Sequence, residues 1–438
     1  MSELERWEVE VSNELEKMEA DAQMGTERWQ RSSIYKVPAS IADTNRKVYT
    51  PQTVSFGPYH YGKPHLIPME EHKRRALLHF LKRANKPLKL FVGAIAEEIR
   101  CLKDSYYDIN EQWEQDDGRF VQLMILDGCF MLEFLRVANS LINDYAGDDP
   151  IFGDRGRYSI MPYIRVDMLM LENQLPLLVL HKLVAVHSGK PDGELINKLI
   201  LKFCFPEFTS VPLGKCLHVL DIYRKIQIFE FGIKRTNITG RLRTRYENTE
   251  IDLSATDLSD SGIRFKKSRE RSIRSISFRS GVLKLPAMIF DLQTEQSMLN
   301  LMAFEWSHSG ISIEVTEYIF FMYNLIRSDR DVELLRSYGI IQNYIDNDKD
   351  VVQLLSSLSR NSIMSPDSNL YDVCLEVNEY SKRPWNKCRA YLIRNYFRNP
   401  WAVVNLIAAI ILFFLTFAQT VFTIYPYYHS NEPRPRTP

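Results

Sequence analysis

One uncharged segment, from Trp401 to Ile424, constrains the fold of this chain more than any other feature. A helix of these residues, about 24 in number, would be about 36 Å long, whereas the hydrocarbon core of a bilayer is about 30 Å thick. A buried helix of a soluble protein rarely stays uncharged over such a length. The segment predicts one C-terminal transmembrane helix, over residues 399–426, followed by a short tail over residues 427–438.

Side chains at the two ends of the segment and within it suit a membrane. Trp401 and Tyr425 lie at the expected levels of the lipid headgroups, which amphipathic rings favour, and Pro426 is expected to end the helix. Asn405 and Gln419 lie 14 residues apart, on nearly the same helical face. Two interpretations of these amides stay open: they hydrogen bond to a second copy of the span or to a partner helix, or they are tolerated near the interfaces.

The charged residues on either side of the span predict its orientation. Six basic residues and no acidic residue lie between residues 382 and 398, whereas two basic residues follow the span. Because positive flanks face the cytosol, we expect the folded body to be cytosolic and the short C-terminus to be inserted after translation, as in a tail-anchored protein. Arg394 and Arg398 belong to this flank and are expected to contact anionic lipid headgroups, unless the flank is only a solvated helix face.

The N-terminal sequence agrees with a cytosolic body. It opens with acidic residues and lacks the basic and apolar regions of a secretory signal peptide, so none is predicted. A glycan at the sequon Asn237-Ile238-Thr239 would contradict this orientation, because that modification is made on the lumenal side. Whether the span lies in the plasma membrane or in an internal membrane stays open.

The residues before the span have the pattern of a helical globular domain. Hydrophobic residues make up 45% of the chain and charged residues 25%, which is enough to form a core. Apolar residues recur at helical spacing in stretches such as MEEHKRRALLHFLKRA, whereas GIRFKK, SIRSISF and VLKLPAMIF alternate. We therefore predict a mainly α fold: an acidic N-terminal helix or linker (1–33), a large helical domain (34–398) with a small antiparallel β insert (about 235–291), and the C-terminal span.

No motif in the sequence indicates catalysis or a cofactor. Lys plus Arg equals Asp plus Glu at 55 each, so no net field favours nucleic acid. Glycine loops for phosphate and the motifs of zinc proteases, hydrolases and kinases are missing, and the six isolated cysteines are expected to be reduced. His60, His65, His72 and His79 cluster in the sequence without the i, i+4 spacing of a metal-binding helix. We expect no catalytic, cofactor or metal site.

Two polar groups inside apolar stretches are better explained by packing than by chemistry. On a helix, Asp127 and Cys129 of LDGCFMLEF point about 200° apart, which places the Cys129 thiol among core residues. In LENQLP, Glu172 and Gln174 separate two apolar runs and are expected to form buried hydrogen bonds to a neighbouring segment.

A basic run between residues 264 and 280 is the candidate contact surface of the body. It contains seven Lys or Arg residues and one acid, Glu270. Alternation places Phe265 and Phe278 on the core side, so the aromatic rings of an RNA-binding surface are not predicted. A solvated sheet face and a contact site for an acidic partner or lipid headgroups both stay open. The candidate contact residues are Arg264, Lys266, Lys267, Arg269, Arg271 and Arg274.

Nine blocks of the sequence, in order, resemble the plant family called domain of unknown function 247, of UPF0481-type membrane proteins. They include YTPQTVSFGPYHYG, MILDGCFMLEFL, LMLENQLPLLVL and GVLKLPAMIFDLQTE, and the resemblance extends over residues 34–428. One departure is that Tyr61 follows His60, where the family often has two adjacent histidines. The resemblance implies a membrane protein with one C-terminal span and no established catalytic residues, and it implies that some relatives act in self-incompatibility between pollen and stigma.

Three functions follow as hypotheses. The first is a non-enzymatic, tail-anchored membrane protein that presents a cytosolic helical domain to an unknown protein partner, for interaction or signalling. The second is a recognition determinant of self-incompatibility, which expression confined to pollen or stigma would favour. The third is an unrecognised membrane-bound enzyme, which a perturbed titratable pair lining a closed pocket would favour.

Overall fold

The computed structural model describes residues 5–7, 11, 32–42, 45–139, 144–190, 193–205, 211–229, 254–360, 362–392 and 400–429. Most of the predicted acidic segment 1–33, the sequon at Asn237, the basic residues Arg394 and Arg398, and the tail beyond residue 429 lie outside the described residues.

The first part of the body consists of helices joined by extended loops. Helices form here because apolar residues recur at helical spacing between proline, glycine and aspartate residues. The helices are α1 (Ala39–Ala42), α2 (Ile67–Ala84), α3 (Leu88–Ala96), α4 (Ile99–Asp104), α5 (Glu111–Gln115), α6 (Asp117–Ala138), α7 (Asp154–Ser159), α8 (Met161–Asp167), α9 (Leu177–Ser188), α10 (Gly193–Cys204) and α11 (Val219–Gln227).

Helix α6 is the centre of the first hydrophobic core. The Asp116 carboxylate caps its start by accepting the N–H of Arg119 at 2.9 Å. Buried residues surround α6 on nearly every side, and α2, α3, α9 and α10 pack against it. Gly128 permits the close approach of α9, because a Cβ there would lie 2.6 Å from Leu183 Cδ1 and 2.8 Å from Val179 Cγ1. A helix that is apolar all round must be enclosed by other elements, and α6 is enclosed.

The second part of the body surrounds a separate hydrophobic core built on one helix, α14. Side chains of Phe290, Phe321 and Leu355 lie in this core. Its helices and strands are α12 (Ala255–Asp260), β1 (Arg264–Lys267), β2 (Ser277–Arg279), β3 (Val282–Leu285), β4 (Met288–Phe290), α13 (Thr294–Ser307), α14 (Glu314–Leu325), α15 (Asp329–Ser337), β5 (Ile341–Asn343), α16 (Asp348–Ser359), α17 (Asn369–Ser381) and α18 (Pro384–Leu392).

The strands form two small sheets, of which one contains the predicted antiparallel pairing. Strands β2 and β3 are antiparallel and joined by a two-residue turn, in which Ser280 and Gly281 both have positive φ, as a tight hairpin requires. Strand β1 pairs with β3 in parallel, and β4 pairs in parallel with the distant β5. The prediction of an antiparallel insert is therefore correct for the hairpin and wrong for these two pairings, because alternation identifies a strand but not its neighbour.

The predicted fold class is confirmed: the chain is mainly α, with small sheets and one apolar C-terminal helix, α19 (Pro400–His429). The part from Val404 to Tyr425 is long and apolar enough to cross a membrane, and none of it is buried against the rest of the protein. The prediction that Pro426 ends the helix is wrong, since the helix continues to His429. A proline within a helix removes one N–H donor, but the helix can continue past it.

Candidate functional site

An extended segment, from Gln52 to Gly57, enters the first core between its helices; Gln52 is exposed, and the segment is buried from Val54 onward. Its amides have no neighbouring strand, and side chains accept their hydrogen bonds instead. The Asp167 carboxylate accepts three of them, from the N–H groups of Gln52 at 3.0 Å, Thr53 at 2.7 Å and Val54 at 2.9 Å. Burial raises the pKa of Asp167 to about 6, although the three N–H groups favour its charged form.

The second half of the same segment is held by Asn173 and Asp127. Asn173 Oδ1 accepts the N–H of Phe56 at 2.7 Å, and its Nδ2 donates to the carbonyl of Val54 at 3.0 Å. Asp127 Oδ2 accepts the N–H of Gly57 at 2.8 Å. Gly57 has a φ of 71°, and a Cβ there would lie 2.6 Å from the Tyr106 hydroxyl, so only glycine fits this position.

Asp127 is also one partner of a fully buried ion pair with Lys73. Lys73 Nζ lies 2.7 Å from Asp127 Oδ1, 2.7 Å from Glu70 Oε1 and 3.2 Å from Ser55 Oγ. Burial raises the pKa of Asp127 to about 6, and Lys73 opposes that rise. Burial acts to lower the pKa of Lys73, but the two carboxylates outweigh it and raise the pKa. Because the pKa of Asp127 lies below neutral pH and that of Lys73 lies above it, both partners are charged at pH 7.

The LENQLP segment forms the buried hydrogen bonds that its sequence predicts. Glu172 Oε1 accepts the N–H of Val37 at 2.8 Å, and its Oε2 lies 3.1 Å from Nε2 of His60. Gln174 Nε2 donates to the carbonyls of Met168 at 2.7 Å and Met170 at 2.6 Å. We call these acceptors and donors together the polar layer. It comprises Lys73, Asp127, Asp167, Glu172, Asn173 and Gln174.

Residues that were considered above as catalytic or metal-binding candidates contact other groups of the protein. Cys129 is fully buried, and burial raises the pKa of its thiol far above the ordinary range. Nε2 of His65 lies 3.0 Å from the carbonyl of Pro51, and the His79 ring stacks on Tyr145 with 4.1 Å between centroids. Within the part of the chain that the structure describes, no group of three or more His, Cys, Asp or Glu side chains could hold a metal ion.

A basic surface covers the outer side of the three-stranded sheet. Phe265 and Phe278 point into the second core, as predicted, which leaves the alternate residues exposed. The register places Lys266 directly opposite Lys284, and such like-charged pairs are unfavourable in the absence of a counter-charge. We call these exposed cations, none of which is in an ion pair with another described residue, the basic face. They are Arg264, Lys266, Arg279 and Lys284.

The predicted contact residues do not all lie on this sheet face. The guanidinium of Arg274 forms a bidentate ion pair with Glu314, with Nη2 2.6 Å from Oε1. Arg271 lines a cleft described below rather than the sheet. Lys267 and Arg269 are placed at the end of β1, at the margin of the basic face. The sequence pattern did not identify Lys284 as part of this surface, because only the parallel pairing of β1 with β3 places Lys284 opposite Lys266.

The basic face lies next to the helices that lead to α19. The Tyr380 ring of α17 packs edge-on against Phe278, with 5.4 Å between centroids, and α17 contacts β2. A Cβ on Gly262, just before β1, would lie 3.0 Å from Nη1 of Arg389 in α18. Exposed Arg383, between α17 and α18, and exposed Arg389 of α18 extend the positive charge toward the C-terminal end of the body.

Side chains of the predicted span are exposed along α19. Asn405, Gln419 and Tyr425 are all exposed, and the side chain of Trp401 lies outside what the structure describes. Thr416, one turn before Thr420, donates its hydroxyl to the carbonyl of Leu412 at 2.8 Å, as polar residues do where water is scarce. Association through Asn405 and Gln419 stays a prediction.

Fold and site together define a mainly α protein with a buried polar layer, an exposed basic sheet face and one apolar helix long enough to cross a membrane. The chain belongs to the family DUF247, described as plant protein of unknown function, whose model matches residues 34–415. It is 28% identical to the UPF0481 protein At3g47200 of Arabidopsis thaliana, over 91% of this chain and 87% of that protein. It is 23% identical to the putative UPF0481 protein At3g02645 of the same plant, over 88% of this chain and 89% of that protein. No solved structure matches the chain.

Replacing Lys73 with methionine tests the buried ion pair. Lys73→Met leaves the Asp127 carboxylate buried and unpaired, so we expect the free energy of unfolding to fall by about 3 to 5 kcal/mol at pH 8. Chemical unfolding of the full chain in detergent micelles, followed by circular dichroism, measures the change. The matched control, Lys82→Met on the exposed side of the same helix, should change it by less than about 0.5 kcal/mol.

The pH dependence distinguishes the loss of a charge partner from a simple packing defect. The pKa of Asp127 is already raised to about 6, and removal of Lys73 raises it further. A carboxyl whose folded pKa exceeds its unfolded value binds protons more tightly in the native state, so the deficit of Lys73→Met should shrink as the pH falls from 8 to 5. A deficit that is constant across this range, or equal to that of Lys82→Met, contradicts the assignment.

Proposed function

We propose that this protein is a tail-anchored membrane protein that presents its helical body on the cytosolic side for protein interaction or signalling, without catalysis. The observation that carries the proposal is helix α19, whose part from Val404 to Tyr425 is long and apolar enough to cross a membrane and is not buried against the body. Such a surface is unfavourable in water, and a lipid bilayer satisfies it without a protein partner. The basic residues on the body side of this helix support a cytosolic body.

The chemistry of the body supports a non-enzymatic role. The strongly perturbed carboxylates, Asp127 and Asp167, accept backbone hydrogen bonds and lie in the polar layer, where they hold the fold together. Neither residue lines the cleft between the two cores. A catalytic acid or base needs to reach a substrate, and these carboxylates are enclosed.

The basic face gives this anchored body a surface that suits anionic lipid headgroups of the same membrane. The chain from the end of α18 at Leu392 to the start of α19 at Pro400 can span at most about 28 Å, so the end of α18 stays close to the bilayer. Each Lys or Arg near an anionic leaflet contributes up to about 1 kcal/mol of attraction. An acidic protein partner is the second candidate for this surface, favoured by Lys266 and Lys284, which lie opposite each other and form no ion pair within the described part of the chain.

Topology can be measured in microsomes. With an acceptor sequon appended after residue 438, we expect glycosylation of the appended site, resistance of the protein to alkaline extraction, and full protease access to the body. Leu412→Arg with Leu415→Arg should abolish membrane insertion, because each charge at the centre of a span costs about 2.5 to 3.5 kcal/mol. The matched control is Leu412→Ala with Leu415→Ala, which should insert. Glycosylation of Asn237 instead of the appended site would overturn the proposed orientation.

Contact of the basic face with lipid can be measured in nanodiscs that hold the full chain. A fluorophore on Ser277→Cys, with headgroup acceptors in the disc, should transfer more energy when phosphatidylserine replaces part of the phosphatidylcholine. We expect Lys266→Glu with Lys284→Glu to remove that increase, and 0.5 M salt to weaken it. Lys82→Glu with Lys89→Glu, on exposed lysines of α2 and α3, should leave it unchanged. If both pairs behave alike, the basic face does not contact lipid and the acidic-partner hypothesis is favoured.

A further inference from the structure

A cleft of about 330 Å³ lies where the first and second cores meet. The first core contributes residues of α8, α10 and α11 to its wall, and the second contributes strand β4, the turn before α13 and α13 itself. Ile273 and Met298 line the cleft and pack against both cores. Its volume falls in the range of sites that hold small organic molecules.

Two arginines beside this cleft have no carboxylate partner among the residues that the structure describes. Arg165 donates from Nη2 to the carbonyl of Cys204 at 3.1 Å, and Arg157 donates from Nη2 to the carbonyl of Val137 at 2.9 Å. The Nε atoms of both are enclosed and unpaired among the described residues. A second hollow of about 240 Å³ is lined by both arginines and shares Arg165 with the cleft. A partly buried cation without a counter-ion is costly, and a bound anion would offset the cost.

Apart from Arg271 and Asp291, the rest of the lining is aromatic and apolar, with a few hydroxyl and amide groups. The Tyr223 ring stacks on Phe205, with 5.1 Å between centroids, and Arg165 lies over the Phe203 ring at 5.7 Å. Met298 and Tyr318 complete an apolar wall that suits a flat ring. Burial raises the pKa of Tyr223, so its hydroxyl stays protonated and can donate a hydrogen bond.

The thiol in the wall of the cleft shows no sign of nucleophilic activity. Cys204 is fully buried, and burial raises the pKa of its thiol to about 12, against a small opposing effect of Arg165. A thiol in this state is protonated at neutral pH and unreactive. Asp291, the one carboxylate of the lining, accepts the N–H of Gln293 at 3.0 Å and the hydroxyl of Thr294 at 2.8 Å. The cleft therefore has the features of a binding site rather than of a reaction centre.

We propose that this cleft binds a small aromatic carboxylate, with the carboxylate on the guanidinium group of Arg165, where the cleft meets the second hollow, and the ring against Tyr223 and Met298. A guanidinium matches the two oxygens of a carboxylate, and the aromatic wall matches the ring. Because both cores supply lining residues, the bound ligand bridges them and couples their relative packing to ligand concentration. The inference does not depend on the membrane anchor.

Calorimetric titration of the full chain in nanodiscs tests the site, with 2-naphthoate as the probe and empty discs as the blank. We expect saturable binding with a stoichiometry near one, and binding of the uncharged 2-naphthamide at least about tenfold weaker. Arg165→Met, which keeps an apolar stem and removes the charge, should weaken 2-naphthoate binding by a similar factor. Ser297→Phe should block binding by filling the cleft while leaving both arginines in place.

Arg155→Met is the matched control, because Arg155 is an exposed arginine of α7 outside the lining. It should leave the affinity unchanged, and circular dichroism should show that every variant keeps the helical content of the wild type. The proposal is overturned if 2-naphthoate does not bind at millimolar concentration. It is equally overturned if the uncharged amide binds as well as the acid, or if Arg155→Met and Arg165→Met have the same effect.

Discussion

Hydrogen bonds from the backbone of residues 52–57 to the side chains of Asp127, Asp167 and Asn173 are the interaction on which the rest of the structure depends. An extended segment that enters a core without a neighbouring strand leaves its N–H groups to be satisfied by side chains, and each unsatisfied group would cost about 1 to 3 kcal/mol. The three acceptors come from α6, from the end of α8 and from the turn before α9. One segment therefore fixes three helices at once.

Other buried polar side chains, on α11 and α13, connect the first core to the second. Asn300, in α13, accepts the N–H of Leu171 at 2.8 Å and donates to the carbonyl of Val48 at 2.8 Å. Nearby, Glu305 in α13 pairs with Arg224 of α11 at 2.9 Å and accepts the N–H groups that begin α14. These buried contacts set how the two cores meet. The cleft beside Arg165 lies where the two cores meet.

The sequence was sufficient for features whose signal is local. The uncharged run that became α19, the enclosed position of Cys129, and the inward direction of Phe265 and Phe278 all follow from composition or periodicity. The sequence did not predict the features that form where two distant segments meet, because loop conformation and strand partners depend on tertiary contacts. The parallel pairing that brings Lys284 opposite Lys266, the loss of Arg274 to Glu314, and the cleft between the cores have no local signature.

Hydrogen exchange of the amides in the extended segment tests the central claim most directly, with the full chain in nanodiscs and detection by mass spectrometry. If side chains of the polar layer hold this segment, the peptide containing Thr53, Val54 and Phe56 should exchange as slowly as α6, through global unfolding. Asn173→Ala should accelerate exchange at Phe56 more than in α14. Exchange of the segment at the rate of an exposed loop would contradict the account.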